Sequence, residues 1–164
     1  MEFICEVFTP THDASGFDSG QAALDTWLRQ AARDSDARNL TRTYIWHQGD
    51  RVVLAYYTLM PYVIERQTLS RKQGRGLPER IAGYLLARLA LHRRLHGHGL
   101  GSHVLASALT RAALGARDLG GRFVIVDALD DNAAAFYRHH GFDPIPGHPQ
   151  RLILPTAALD PYLP

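Results

Sequence analysis

Residues 93–101 read RRLHGHGLG: two arginines, then glycines at three alternate positions. Glycine lets a backbone come close to a ligand because no Cβ intervenes. Before this stretch, residues 83–91, GYLLARLAL, read as a buried strand. After it, residues 102–120, SHVLASALTRAALGARDLG, place Val104, Leu105, Ala108 and Leu109 on one helical face, with a stop at Gly120 and Gly121. A glycine-rich turn between strand and helix leaves backbone N–H groups free to face an anion, at the positive end of the helix dipole. A phosphate-bearing cofactor is the first expectation.

Two phosphate motifs fail. The Walker pattern needs Gly-Lys-Ser/Thr, and the loop carries no lysine. The dinucleotide fingerprint G-x-G-x-x-G needs a glycine where Ser102 stands, and the acidic residue expected about 20 positions later is not clearly placed. The pattern R/Q-x-x-G-x-G/A does fit, as Arg94-Leu95-His96-Gly97-His98-Gly99. About 35 residues on, NAAAFYRHHGF places Asn132, Phe136, Tyr137, Gly141 and Phe142 in a second recognisable arrangement. With both motifs in this order, the chain resembles the GNAT N-acetyltransferases.

The remaining pattern suits that class. FICEVF reads as a first strand. Residues 17–39 read as a helix, with Leu24, Trp27, Leu28, Ala31 and Ala32 on one face. TRTYIWHQ and RVVLAYYTLM, with Gly49 and Asp50 between them, read as a hairpin. Residues 66–80, RQTLSRKQGRGLPER, are polar without a clear period and read as a mobile loop. RFVIVDAL is a buried strand, DDNAAAFYRHHG a short helix with Asp130 as N-cap and Gly141 as stop, and RLILPT a last strand. The order mixes hairpins with crossovers, so the class is α/β or α+β in three layers. The resemblance implies a mixed central sheet of about six to seven strands, helices on both faces, and a splayed strand pair that holds acetyl-CoA. It also implies that residues 1–164 form one acetyltransferase domain.

Composition sets limits. The chain has 164 residues, 46% hydrophobic and 21% charged, as a soluble globular domain with a real core would. No apolar run approaches the ~18 residues of a membrane span, and MEFICEVFTP lacks a signal-peptide layout. A cytoplasmic protein with no membrane contact is expected. The single cysteine, Cys5, permits no internal disulfide and is expected to behave as a small buried hydrophobe. Formal net charge is +2, yet Lys72 is the one lysine among 18 basic residues. The arginine and alanine bias fits a GC-rich genome, so phosphate recognition is sought only in local arginine clusters.

The resemblance assigns roles by position. Main-chain groups of Leu89, Ala90 and Leu91 would pair with the pantetheine arm like an added strand. Arg94, Leu95, His96, Gly97, His98, Gly99, Leu100, Gly101 and Ser102 form the pyrophosphate loop, held through its amides. Asn132 would contact the pantetheine side and Phe136 would pack near it. Tyr137 would protonate the leaving thiolate, its ordinary pKa of about 10 keeping it an acid. Without the motif, a tyrosine on such a helix reads as a packed ring with a hydroxyl at the rim.

A narrower resemblance extends over nearly the whole chain. Phe17, Gly20, Leu24 and Trp27, with LAYYTLMP and VDALDDNAAAFYRHHGFDPIPGHPQRLILP, look like a toxin branch of the family. Those toxins acetylate the α-amine of aminoacyl-tRNA, block translation, and are neutralised by a ribbon-helix-helix antitoxin. The resemblance therefore implies aminoacyl-tRNA and that antitoxin as partners, a homodimer, and DNA contact only through the antitoxin. The acid–base chemistry agrees. A free α-amine has a pKa near about 7.7–8.0, against about 10.4 for lysine, so little is asked of a general base, and none is evident. A tRNA track is expected from Arg29, Arg33, Arg38 and Arg42, and from Arg71, Lys72, Arg75 and Arg80. Arg93 would meet the cofactor phosphates or the acceptor end. The alternatives are acetylation of a small amine or protein N-terminus, a non-catalytic CoA-binding partner module, and a DNA-binding repressor, for which no helix-turn-helix signal exists.

The histidines pose a metal alternative. His92, His96, His98 and His103 crowd one segment, and His139 and His140 another. Zinc wants about four closed ligands with second-shell support, whereas His96 and His98 flank glycines that the phosphates would occupy. No metal is expected. Apart from the motif, Phe136 and Phe142 read as core, and Tyr56, Tyr57 and Trp46 read as core in preference to a substrate wall.

Overall fold

The computed structural model describes residues 2–164. Its strands are β1 Ile4–Val7, β2 Arg42–His47, β3 Ala55–Glu65, β4 Arg80–Leu91, β5 Phe123–Asp127, β6 Asp143–Ile145 and β7 His148–Pro155. Its helices are α1 Ala22–Gln30, α2 Ala32–Ala37, α3 Arg71–Gly74, α4 Leu100–Leu119 and α5 Asp131–His139. The strands form one seven-stranded sheet in the order β1-β2-β3-β4-β5-β7-β6. β4 and β5 run parallel, joined by the crossover helix α4, while β1–β2, β2–β3, β5–β7 and β6–β7 run antiparallel. The mixed α/β class expected from the sequence is the one observed.

Contacts group into two compact units, Met1–Met60 with Ala87–Ala108, and Pro61–Leu86 with Leu109–Pro164. The first has a core of Phe8, Phe17, Leu24, Leu28, Ile45, Val53, Tyr56 and Ala90. Consecutive tyrosines on β3 show how its sheet is covered, because neighbouring strand residues point to opposite faces. The Tyr56 hydroxyl donates to the Leu24 carbonyl on α1 at 2.7 Å. The Tyr57 hydroxyl bonds Ser107 Oγ on α4 at 3.0 Å. Helices therefore lie on both faces. Cys5 departs from expectation: it is half-buried, with Sγ 3.5 Å from Ser107 Oγ and 3.7 Å from the Tyr57 hydroxyl.

The second unit packs Ile64, Leu69, Ile81, Phe123, Ile125, Ile145 and Ile153 together. Phe123–Val126 are all buried, as a strand covered on both faces requires. Burying side chains such as Phe123 or Ile125 contributes about 1.5–3 kcal/mol each.

Four local expectations change. The helix read over residues 17–39 is two helices, broken at Ala31, whose φ of −124° leaves the helical range. Residues 17–21 precede it as a loop, tied down where the Ser19 amide and hydroxyl donate to the buried Asp25 carboxylate at 3.0 and 2.7 Å. The first part of RVVLAYYTLM leaves the hairpin, because Val52 bridges Asp13 in parallel and the Val53 amide donates to the Asp13 carbonyl at 2.9 Å. Residues 66–80 are not a mobile loop. Ser70 and Gln73 form a capping box on α3, the Arg66 amide bonds the Glu79 carbonyl at 2.8 Å, and Leu69 is buried. Finally, β6 was hidden by Pro144, which an edge strand tolerates.

Candidate functional site

The first unit holds the glycine loop. His92 follows β4, with its amide on the Leu54 carbonyl at 2.8 Å. A 3₁₀ turn over Arg93–Leu95 follows. Its amides are used internally: Arg94 donates to His92 Nδ1 at 3.2 Å, Leu95 to the His92 carbonyl at 2.9 Å, and His96 to the Arg93 carbonyl at 3.0 Å. The expectation that the Leu95 and His96 amides face a pyrophosphate is corrected by these bonds. The Arg94 side chain is exposed.

Beyond the turn, the backbone opens. Gly97 and Gly99 have φ of +81° and +71°, conformations L side chains rarely adopt, and no described atom lies within 4 Å of the space a Cβ would occupy on either. The amides of Gly97, His98 and Gly99 donate to no acceptor among the described residues. Leu100, Gly101 and Ser102 then begin the 20-residue α4. Free amides leading into a long helix make a concavity that fits an anion. The open amides are thus those of Gly97, His98 and Gly99, ahead of the first turn of α4, a narrower stretch than the sequence suggested.

His96 folds back, its Nε2 2.8 Å from the Leu91 carbonyl, which fixes the turn against β4. Leu89 and Leu91 are partly exposed and Ala90 is buried in the first unit's core. In the second unit, β4 pairs with β5 over Gly83–Leu86 against Phe123–Val126. Its strand continues to Leu91 past that register.

The second unit also holds α5. Asp130 caps it as expected, accepting from the Ala133 amide at 2.8 Å. Asn132 is exposed in the first turn. Phe136 packs edge-on to Tyr137 and His140, with ring centroids 5.3 and 4.9 Å apart. Tyr137 meets Phe142 edge-on at 5.5 Å. Its hydroxyl meets no hydrogen-bonding partner among the described residues. Although part of the ring surface stays accessible, desolvation pushes the phenol up to about 12. The ordinary value of about 10 assumed from sequence is therefore corrected.

The basic residues of the expected tRNA track fall into three kinds. Arg29 donates to the Phe17 carbonyl at 2.7 Å, and Arg33 to the His12 carbonyl at 2.9 Å. Arg42 donates to the Asp36 carbonyl at 3.3 Å and to Asn39 Oδ1 at 3.0 Å. Carbonyl and amide anchors orient these groups without neutralising them. Arg38 pairs with Asp34 at 3.8 Å, Arg93 with Asp18 at 2.8 Å, and Arg80 with Glu65 at 3.5 Å. Arg71, Lys72 and Arg75 are exposed on and after α3.

The sequence missed two polar groupings. Arg151 grips Asp127 with two hydrogen bonds of 2.7 and 2.8 Å and donates to the Tyr62 hydroxyl at 2.8 Å. That ion pair sits beside a cavity of about 560 Å³, lined also by His148 and Gln150. Glu6, His12 and His47 form the second grouping, with His12 Nε2 2.7 Å and His47 Nε2 2.6 Å from Glu6 Oε1. A metal fits it poorly. Nδ1 of His12 accepts from the Thr9 amide at 3.0 Å, and Nδ1 of His47 from the Gly49 amide at 2.9 Å. Each Nε2 must then carry the hydrogen, which occupies the lone pair a metal would need. The trio is a hydrogen-bonded clasp, and its N–H donors hold the Glu6 carboxyl below its usual range.

The acetyltransferase (GNAT) domain family matches residues 40–144 of the chain. The chain belongs to this family. It is an N-acetyltransferase, and acetyl-CoA is the acetyl donor of such enzymes. A tRNA-acetylating toxin of Mycobacterium tuberculosis is 34% identical over 87% of this chain and 85% of its own length. The structure of the toxin AtaT complexed with acetyl-methionyl-tRNAfMet is 30% identical, covers 97% of this chain and 98% of its own, and superposes with a TM-score of 0.89. A Tyr→Phe mutant of AtaT, bound to the C-terminus of its antitoxin AtaR and to acetyl-CoA, is 28% identical over 98% of this chain and 97% of its own, with a TM-score of 0.84. Among the described residues, no helix of this GNAT chain is long and apolar enough to cross a membrane.

Proposed function

We propose that residues 1–164 act as one GNAT domain that transfers acetyl from acetyl-CoA to the α-amine of aminoacyl-tRNA. Translation would stop as a result, and a ribbon-helix-helix antitoxin would neutralise the enzyme and provide any DNA contact. The active species is a homodimer. The observation that carries the substrate class is the near full-length likeness to a tRNA-bound acetyltransferase toxin.

The chain's own residues fit each step. The open amides of Gly97, His98 and Gly99 and the first turn of α4 receive the pyrophosphate of acetyl-CoA. Main-chain groups of Leu89, Ala90 and Leu91, past the β4–β5 register, receive the pantetheine arm. Asn132 and Phe136 line the thioester side. In the transfer the amine nitrogen forms a bond to the acetyl carbon and loses a proton, while the C–S bond breaks and the sulfur gains one. A phenol pushed up to about 12 stays protonated throughout neutral pH. Tyr137 is therefore present as the donor that hydrogen-bonds the negative charge developing on sulfur, passes its proton to it as the C–S bond breaks, and is reprotonated from solvent. The α-amine, about half neutral near pH 8, needs no strong base. Arg29, Arg33 and Arg42, oriented by uncharged oxygens, keep their charge for tRNA phosphates; Arg93 shares its charge with Asp18, and the exposed Arg71, Lys72 and Arg75 of the second unit offer phosphate contacts of their own.

The test supplies labelled acetyl-CoA to pure protein with charged tRNA, spermidine and a peptide carrying a free N-terminus. Label is expected in the N-acetylamino acid released when mild base hydrolyses its ester to tRNA. Label confined to spermidine or the peptide would refute the substrate class.

A further inference from the structure

Arg88 has no role in the account above, yet its setting is unusual. Period-2 alternation puts it on the same face of β4 as Ala90, which packs with Leu24 and Tyr56 in the first unit's core. It thus lies on the α1 side of the sheet, one residue before Leu89. Its guanidinium rests 3.9 Å from the centroid of Trp27 on α1. Trp27 in turn stacks on Tyr56, with centroids 6.2 Å apart and planes 15° apart. Tyr56 is fully buried and fixed to the Leu24 carbonyl. The result is a three-layer stack of Arg88, Trp27 and Tyr56 built on a rigid base.

Arg88 is half-buried, and no carboxylate, carbonyl or hydroxyl among the described residues accepts from it. Other arginines of this unit differ. Arg29 and Arg33 have carbonyl anchors, and Arg93 has Asp18. Arg94 lies out in solvent. Burial pushes Arg88 below the ordinary arginine value, only partly offset by the Tyr56 phenol, and no carboxylate pairs with it. A planar cation with one face on an indole still presents its N–H edge to a ligand, and that fork matches phosphate.

We propose that Arg88, held on Trp27, binds a phosphate group of a nucleotide-bearing substrate. The inference rests on the substrates named under the proposed function, which offer two sources: the tRNA near its 3′ end and acetyl-CoA. Arg29, which the proposed function gives to the tRNA track, stands on α1 beside Trp27, so the tRNA is the source we favour. Arg88 is a positioning residue in this account and takes no part in proton movement.

The experiment compares the parent protein with Arg88→Gln and Arg88→Lys. One arm measures tRNA affinity by filter binding from low to moderate salt, and the other measures CoA affinity by calorimetry. Arg88→Gln is expected to weaken tRNA binding by roughly tenfold and to reduce the salt slope by about one, with CoA affinity unchanged. A roughly tenfold loss in the CoA arm alone assigns the phosphate to the cofactor. Arg88→Lys keeps the charge but not the planar fork and is expected to lose about threefold in the same arm. It carries the test if Arg88→Gln melts early. Affinities of a folded variant within twofold of the parent in both arms overturn the proposal. If the parent binds no tRNA, the aminoacyl-tRNA reading fails and the CoA arm alone decides Arg88.

Discussion

Gly83 faces Phe123 across the parallel β4–β5 ladder. A Cβ placed on residue 83 runs into the Phe123 carbonyl oxygen and comes within 3.2 Å of Ile125 Cδ1. Neither neighbour has room to give, since Phe123 is 1% and Ile125 0% exposed. The worse contact is with backbone, so no side-chain rotation relieves it. Overpacking of this kind costs about 1–3 kcal/mol. Replacing glycine also restricts the unfolded chain, which favours alanine by about 0.4–1 kcal/mol. The clash wins, and Gly83→Ala should lose about 1–2 kcal/mol. At about 2–4 °C per kcal/mol for a chain of this size, Tm should fall by roughly 2–8 °C. Urea unfolding followed by circular dichroism measures the loss, with an unchanged m-value expected. A Gly83→Ala protein as stable as its parent would refute the reasoning and mean that the two strands are further apart there than described.

Other outcomes follow from the site. Tyr137→Phe should lower kcat by about 10²–10³-fold while CoA affinity stays within twofold, since the variant removes a donor and no packing. Parent-level turnover would remove Tyr137 from the reaction. Because burial pushes that phenol up to about 12, its donor is present at neutral pH and is lost only as pH rises through that value. An ionisation below pH 9 that disappears in Tyr137→Phe would contradict this. Glu6 has a folded pKa below its unfolded one, so its clasp stabilises above the ordinary carboxylate range and fades as pH falls through the folded value. Glu6→Gln should flatten that acid limb of stability, and an unaltered limb would show the clasp to be idle.

What the sequence disclosed was what lies close together along it. The glycines at 97 and 99, the strand before them and the helix after them are neighbours in the chain, so the strand–turn–helix they form was legible. The same holds for α5, with Asp130 at its N-cap and Gly141 past its end. Pairings across the fold were not legible. Arg88 meets Trp27, and Glu6 meets His12 and His47, only once strands and helices pack. The order of residues 66–80 was written as Ser70-x-x-Gln73, a capping box masked by the surrounding charges. β6 escaped because three residues with a central proline carry no period. The Tyr137 shift depends on what surrounds its hydroxyl, which no local motif encodes.

The central claim is that the acetyl group goes to the α-amine of an amino acid esterified to tRNA. Mass spectrometry of aminoacyl-adenosine released by nuclease from the tRNA of cells expressing the protein tests it most directly. The account predicts one acetyl mass added to the aminoacyl moiety in cells with the parent protein, and a strong reduction with Tyr137→Phe. Unmodified aminoacyl-adenosine in cells that hold active, folded protein would contradict it.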